Sequence, residues 1–206
     1  MPGAIEVHRP FSPPIYATKL DLTADALKAV RAEIEKRRDD DPGIEVTSRN
    51  AWRSTGSDLL DDARGGPLGE LRGHVLAVAR GALAPHYSQA AMAGWEPFVA
   101  DSWATIGGRG AAHVPHNHGP SPWSGIVYVD VETALGQGKS PRAGRLEILS
   151  PIAASQAFFV PSGAVFDPSD GLMLLFPSPM LHLVHPTEGD APRVTVAFDL
   201  GIRVLR

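Results

Sequence analysis

The chain has 206 residues, of which 43% are hydrophobic and 20% charged, and a formal net charge of −4. That length can bury a real core, and the mild negative charge gives no general attraction to nucleic acid or an anionic membrane. The sequence contains no cysteine, which excludes a disulfide framework, a thiolate metal site and a cysteine nucleophile.

The first residues, MPGAIEVHRPFSPPIY, hold no long apolar run. Neither a signal peptide nor a membrane span is expected there, and the expected location is cytoplasmic. Thr23 suits the N-cap of a helix over ADALKAVRAEIEKRRDD. Leu27, Val30 and Ile34 recur at helical spacing, basic residues crowd the last turn, and DDDPG at 39–43 ends it. EVTSRNAWRSTGSDLL then reads as a polar loop with one large aromatic, Trp52. Pro67 opens a second helix over PLGELRGHVLAVARGALAPHY, with Leu68, Leu71, Val75, Leu76 and Val78 as its apolar stripe.

From about residue 96 the period changes. FVADSWATI, SGIVYVDVE, GRLEILSP, AFFVPSG, LMLLFPS, LHLVHP and RVTVAFDLGIRVL are short apolar runs separated by Gly/Pro turns. Such spacing predicts an all-β sandwich or barrel, here two facing antiparallel sheets, with the two helices packed outside one of them. Two helices alone bury too little to stand as a domain. The expectation is therefore one domain over 1–206, in which a helical and loop part (1–95) packs on a β core (96–206).

HVPHNHGPSPWSGIVYVD, residues 113–130, places His113, His116 and His118 before an apolar strand. In an extended strand, residues two apart share a face. His116 and His118 can therefore offer two imidazoles to one divalent metal, and a third must come from a distant strand. FPSPMLHLVHP supplies His182 and His185. They are three apart and face opposite sides if extended, so only one can join. In RVTVAFDL the alternation puts Arg193, Thr195 and Ala197 on one face and Val194, Val196 and Phe198 on the other. If the apolar set packs against the helices, Arg193 points inward. A buried guanidinium needs an anion, and a bound dicarboxylate would supply one through the bidentate fork.

The stretches SRNAWRS (48–54), HNHGPSPWSGIVYVD (116–130), GRLEILSP (144–151) and GLMLLFPSPMLHLVHPTEGDAPRVTVAFDL (171–200) resemble the Fe(II)/2-oxoglutarate-dependent oxygenase superfamily. The resemblance is closest to its bacterial branch with a His-x-His motif. It implies a double-stranded β-helix, a jelly-roll or cupin-like barrel, with mainly β structure and flanking helices. It implies Fe(II) held by His116, His118 and His182, with 2-oxoglutarate and O2 as co-substrates. Arg193 takes the place of the residue that binds the far carboxylate of 2-oxoglutarate, supported by Tyr128 and by Thr195 on the same strand face. Asn50 and Trp52 fall where the branch has a substrate-side loop. One departure is His118, which stands where the superfamily usually has Asp or Glu.

The reaction implied is hydroxylation of a small molecule or peptide, coupled to decarboxylation of 2-oxoglutarate to succinate and CO2. Two alternatives stay open on the residues alone. One is a three-histidine cupin-like metal dioxygenase without 2-oxoglutarate, from which the orientation of Arg193 discriminates. The other is a non-catalytic ligand-binding jelly roll, from which metal content discriminates. A zinc hydrolase is disfavoured, because no placed Glu or Asp base accompanies the histidines. His113 and His185 are left as substitute ligands or outer partners. The loops at 40–57 and 133–145 are expected to shape the opening.

Overall fold

Thr23 sets the first boundary. Its side chain accepts from the Ala26 amide at 3.1 Å, and helix α1 runs Ala24–Asp40 with Leu27, Val30 and Ile34 buried. Asp41 is extended, as the residue before a proline is disposed to be, so Pro42 ends the helix. Helix α2 spans Gly66–Leu83 and buries Leu68, Leu71, Val75, Ala79 and Leu83; a 3₁₀ turn, Ala84–His86, follows. Ala79, rather than Leu76 or Val78, continues the buried stripe. These details come from a computed structural model that describes residues 12–61, 65–86, 94–131, 140–151 and 162–204. No described helix is long and apolar enough to cross a membrane.

Among the described residues, nine strands follow one another as β1 (Tyr16–Lys19), β2 (Ser48–Arg53), β3 (Trp95–His116), β4 (Trp123–Asp130), β5 (Leu146–Leu149), β6 (Gly163–Phe166), β7 (Leu172–Pro177), β8 (His182–Val184) and β9 (Arg193–Val204). They pair antiparallel in the order β1-β7-β4-β9-β3-β8-β5-β6, with β2 added on β3. The result is one curled sheet, a half-barrel, rather than two separate sheets.

The reason is β3. Its 22 residues pair with β9 from Trp95 to Gly107 and with β8 at His113 and His116, so one strand passes from one side of the curl to the other. GGRG (107–110) reads as a turn, but the glycines mark a bend inside the strand. A Cβ on Gly107 would lie 2.5 Å from that of Ala111, and Gly110 has φ +79°.

β2 also replaces an expected loop. A bulge between Arg49 and Ala51, with Asn50 at φ 54°, breaks its alternation and hides the strand from a period-two reading. β1 and β6 were not anticipated either. Residues 157–161 of the predicted AFFVPSG strand, and 133–139 of the predicted opening loop, lie outside the described residues.

The convex face of the sheet carries the core. Val194, Val196, Phe198 and Leu200 of β9 pack with α1 and α2 through Val30, Ile34, Leu71 and Val75. Full burial of each such side chain contributes about 1.5–3 kcal/mol. The other face of β9 is left to Arg193, Thr195, Ala197 and Asp199.

Gly125 on β4 is confined by this packing. A Cβ there would sit 2.3 Å from the Phe198 ring and 2.6 Å from the Leu174 carbonyl. Gly125→Ala should lower stability by about 1–3 kcal/mol in urea unfolding, whereas Gly108→Ala, with no atom within 4 Å of the new methyl, should stay within about 0.5 kcal/mol. Equal stability of the two variants would contradict this packing.

Candidate active site

His116 closes β3 directly opposite His182, which opens β8, and their ring centroids are 4.3 Å apart. His118 lies two residues beyond β3. Its amide donates to the Ser178 carbonyl at 3.0 Å, and its ring is 5.4 Å from that of His116 and 5.0 Å from that of His182. One ring nitrogen from each of the three lies within 4.8 Å of the others.

Their tautomers follow from their partners. His116 Nδ1 donates to the Val114 carbonyl at 2.8 Å, His182 Nδ1 to the Met180 carbonyl at 3.0 Å, and His118 Nδ1 to the Asp199 carboxylate at 2.6 Å. Carbonyls and carboxylates only accept, so each Nδ1 carries a proton, and in the neutral ring Nε2 keeps the lone pair. Burial pushes the His182 ring down to about 3, with the charges it would share with His116 adding to the effect, and burial also lowers His116. Neutral, oriented imidazoles are what a divalent metal takes.

The other two histidines of the cluster stand apart from this set. His113 stacks on His116 at 6.0 Å and lines the cavity; burial, then the charge of Arg193, hold it down to about 3. His185 hydrogen-bonds Glu147 at 2.7 Å, and Arg142 pairs with the same carboxylate.

Asp199 escaped the sequence reading. Its carboxylate accepts from His118 and from Ser124 Oγ at 2.6 Å, and Ser124 Oγ meets Ser178 Oγ at 2.6 Å. Because Ser178 also holds the His118 amide, a closed ring of hydrogen bonds fixes a histidine that no strand positions. The signal was present: Asp199 shares parity with Arg193, Thr195 and Ala197.

Cross-strand register orders the inner face. Trp103 and Ile126 flank Ala197, Thr105 and Tyr128 flank Thr195, and Arg193 lies one same-face position further in. A cavity lined by the three histidines with Thr105, Ile126 and Thr195 follows these positions. Beyond it Arg193 is 4% exposed and Tyr128 fully buried, with the guanidinium carbon 5.2 Å from the ring centroid. Among the described residues, Arg193 Nε and Nη2 and Tyr128 Oη have no hydrogen-bond partner and no carboxylate pairs with Arg193. Burial pushes the tyrosine hydroxyl up, against the pull of the guanidinium.

Asn50 and Trp52 do not line this cavity. Asn50 sits exposed at the β2 bulge and donates to the Gly110 carbonyl at 3.3 Å. Trp52 pairs with Ile106, packs on the helix side of the sheet, and donates to the Asp41 carbonyl at 2.9 Å. The inner face of β2 belongs instead to Arg53, opposite Thr105.

Residues 101–199 match the family model described as "Putative 2OG-Fe(II) oxygenase". Over that core the chain resembles the 2-oxoglutarate/Fe(II) oxygenase family. The matched span runs from Asp101 through the three histidines and Arg193 to Asp199. Solved oxygenases share the fold. A prolyl-4-hydroxylase from Pseudomonas putida is 16% identical, covers 91% of this chain and 93% of its own, and superposes with a TM-score of 0.60. HygX from Streptomyces hygroscopicus, solved with nickel, 2-oxoglutarate and hygromycin B, is 12% identical over 92% and 83% of the two chains, TM-score 0.61. A Trichoplax adhaerens prolyl hydroxylase, solved with a hypoxia-inducible-factor peptide fragment, is 13% identical over 91% and 83%, TM-score 0.58. No curated protein matches the chain in sequence. The curled sheet is thus the double-stranded β-helix of this family.

Two outcomes follow. Asp199→Asn should weaken metal binding about 10- to 100-fold in chelator competition, and an unchanged affinity would remove Asp199 from the site. In the metal-free chain, His113 and His182 stay neutral in the fold down to about 3, while the unfolded chain protonates them near 6.5. Their contribution is intact above pH 6.5 and lost as the pH falls toward 3, at up to about 1.4 kcal/mol per pH unit for each. Urea unfolding between pH 6 and 5 should therefore show a shallower pH slope in His182→Gln than in the parent.

Proposed function

We propose that the protein is an Fe(II)- and 2-oxoglutarate-dependent hydroxylase of a small-molecule or peptide substrate. The observation that carries this reading is Arg193: a guanidinium sealed beside Tyr128, with no carboxylate partner among the described residues, inward of three convergent histidines. Arginine does not deprotonate in proteins, and an isolated buried charge is far too costly to leave uncompensated. A co-substrate carboxylate meets that demand.

In this reading His116, His118 and His182 hold the iron through Nε2. Arg193 receives the distal carboxylate of 2-oxoglutarate through its fork, with Tyr128 Oη donating beside it and Thr195 on the wall between. When bound, iron and 2-oxoglutarate supply an oxidant at the cost of decarboxylation to succinate and CO2, with O2 as the second co-substrate. The chain supplies placement and dryness. Ile126, Leu146, Phe176 and Val184 line the cavity and exclude water from the reacting centre. Asp199, bonded to His118, keeps a negative charge next to the metal although no carboxylate ligates it. The relatives solved with a peptide fragment and with hygromycin B are consistent with either substrate type.

Arg193→Ala should leave metal content intact and weaken 2-oxoglutarate binding by about thirty-fold or more, the effect of losing roughly 2–5 kcal/mol of buried charge-assisted contact. Arg193→Lys should recover only part, since a point charge does not reproduce the planar fork. Anaerobic titration of Fe(II) and 2-oxoglutarate, followed by the visible charge-transfer band of the chelate, reads both. If the parent binds iron but no 2-oxoglutarate, the reading gives way to a three-histidine metal enzyme.

A further inference from the structure

On the outer side of His116 and His118 lies a second depression, lined also by Arg53, Asp101, Trp103 and Val46. It opens on the two histidines from the side away from Arg193. Two charges in it have no hydrogen-bond or ion-pair partner among the described residues. The Arg53 guanidinium is partly buried and lies over the Trp103 ring, 4.5 Å from its centroid, yet makes no hydrogen bond or ion pair among the described residues. Asp101 shares the depression and likewise forms none. Burial works against the charge of Arg53, and Asp101 and Asp199 counter this through space without touching it. Asp199 is already engaged by His118 and Ser124.

We propose that Arg53 and Asp101 form a substrate subsite for a zwitterionic head group, a carboxylate with an adjacent ammonium, as in a free α-amino acid. The Trp103 ring occupies the face of the guanidinium and leaves its N–H edge free, the edge that binds a carboxylate bidentately. Asp101 is acceptor-only when ionised and takes an ammonium. A phosphate dianion fits poorly beside Asp101 and Asp199, because like charges raise its energy there. The exposed Val46 and the partly buried Trp103 at the rim suit an aliphatic side chain. The register supports the role of Arg53: it pairs with Thr105, so it stands on the inner face of β2 with Thr195, while Trp52 faces the helices.

The identity of the reaction at this substrate rests on the oxygenase reading, but binding does not, so the test uses the metal-free full chain. Four probes isolate the charges: L-leucine carries both, N-acetyl-L-leucine only the carboxylate, L-leucinamide only the ammonium, and N-acetyl-L-leucinamide neither. Saturation-transfer NMR titrations should show leucine bound best and the neutral probe not at all. Arg53→Gln should weaken leucine and acetyl-leucine by about tenfold or more while sparing leucinamide, and Asp101→Asn should give the reverse pattern. Arg193→Gln should leave the series unchanged, which separates this subsite from the co-substrate pocket, and thermal melts establish that each variant folds. Binding of the neutral probe as tight as leucine, no saturable binding of leucine, or an Arg53→Gln series equal to the parent would overturn the proposal. Failure of the parent to bind 2-oxoglutarate with iron would instead overturn the oxygenase reading and leave the leucine series to be judged by itself.

Discussion

A guanidinium closed inside the curled sheet, with two nitrogens unmatched among the described residues, constrains everything around it. Arg193 cannot lose its proton, and the sheet around it offers no carboxylate among the described residues. In the proposed reading the compensation comes from a bound anion, and the neighbouring groups suit it. Tyr128 adds an unpaired hydroxyl, and the Thr195 and Thr105 positions lead outward to the histidines. A dicarboxylate with one end on a metal and the other on Arg193 would make the buried charge tolerable.

The same strand sets the parity of both sides. Val194, Val196, Phe198 and Leu200 belong to the helix-covered core, and the residues between them to the site. A slip of one residue would exchange the two sets, placing Arg193 and Asp199 against Leu71 and Val75. Core and site therefore specify one register together, and β9 lies between β4 and β3, where its hydrogen bonds are matched on both edges.

This coupling explains what could be read from the sequence. The alternation of β9, the helical stripes and the His-x-His spacing are periodic, and each was legible. Parity allowed only one of His182 and His185 to join, and the family resemblance pointed to His182; in the structure His182 joins the histidine cluster and His185 bonds Glu147. What escaped lies where period fails. β2 carries a bulge that resets its faces, which is why Trp52 drew notice and Arg53, the residue on the inner face, did not. β3 runs through glycines that resemble a turn. Asp199 required the alternation to be followed one step past the apolar run, to a residue whose partner, His118, lies 81 positions away and outside any strand.

His118 in place of a carboxylate ligand is then less of a departure than it first looks. A bare imidazole would leave the metal one unit more positive than the usual set of two histidines and an acid. Here the imidazole donates its Nδ1 proton to Asp199, which would return a negative charge to the neighbourhood of a metal held by His118, one ring further out. The displacement has a direction. Asp199 stands on the side of Trp103 and Arg53, away from Arg193. In the proposed complex no carboxylate of the described residues stands on the inner side of the histidines, so a dianionic co-substrate there would meet none at close range. The negative charge sits instead at the outer mouth, beside a guanidinium that offsets it. Moving the carboxylate outward separates the charge that supports the metal from the space that the co-substrate fills.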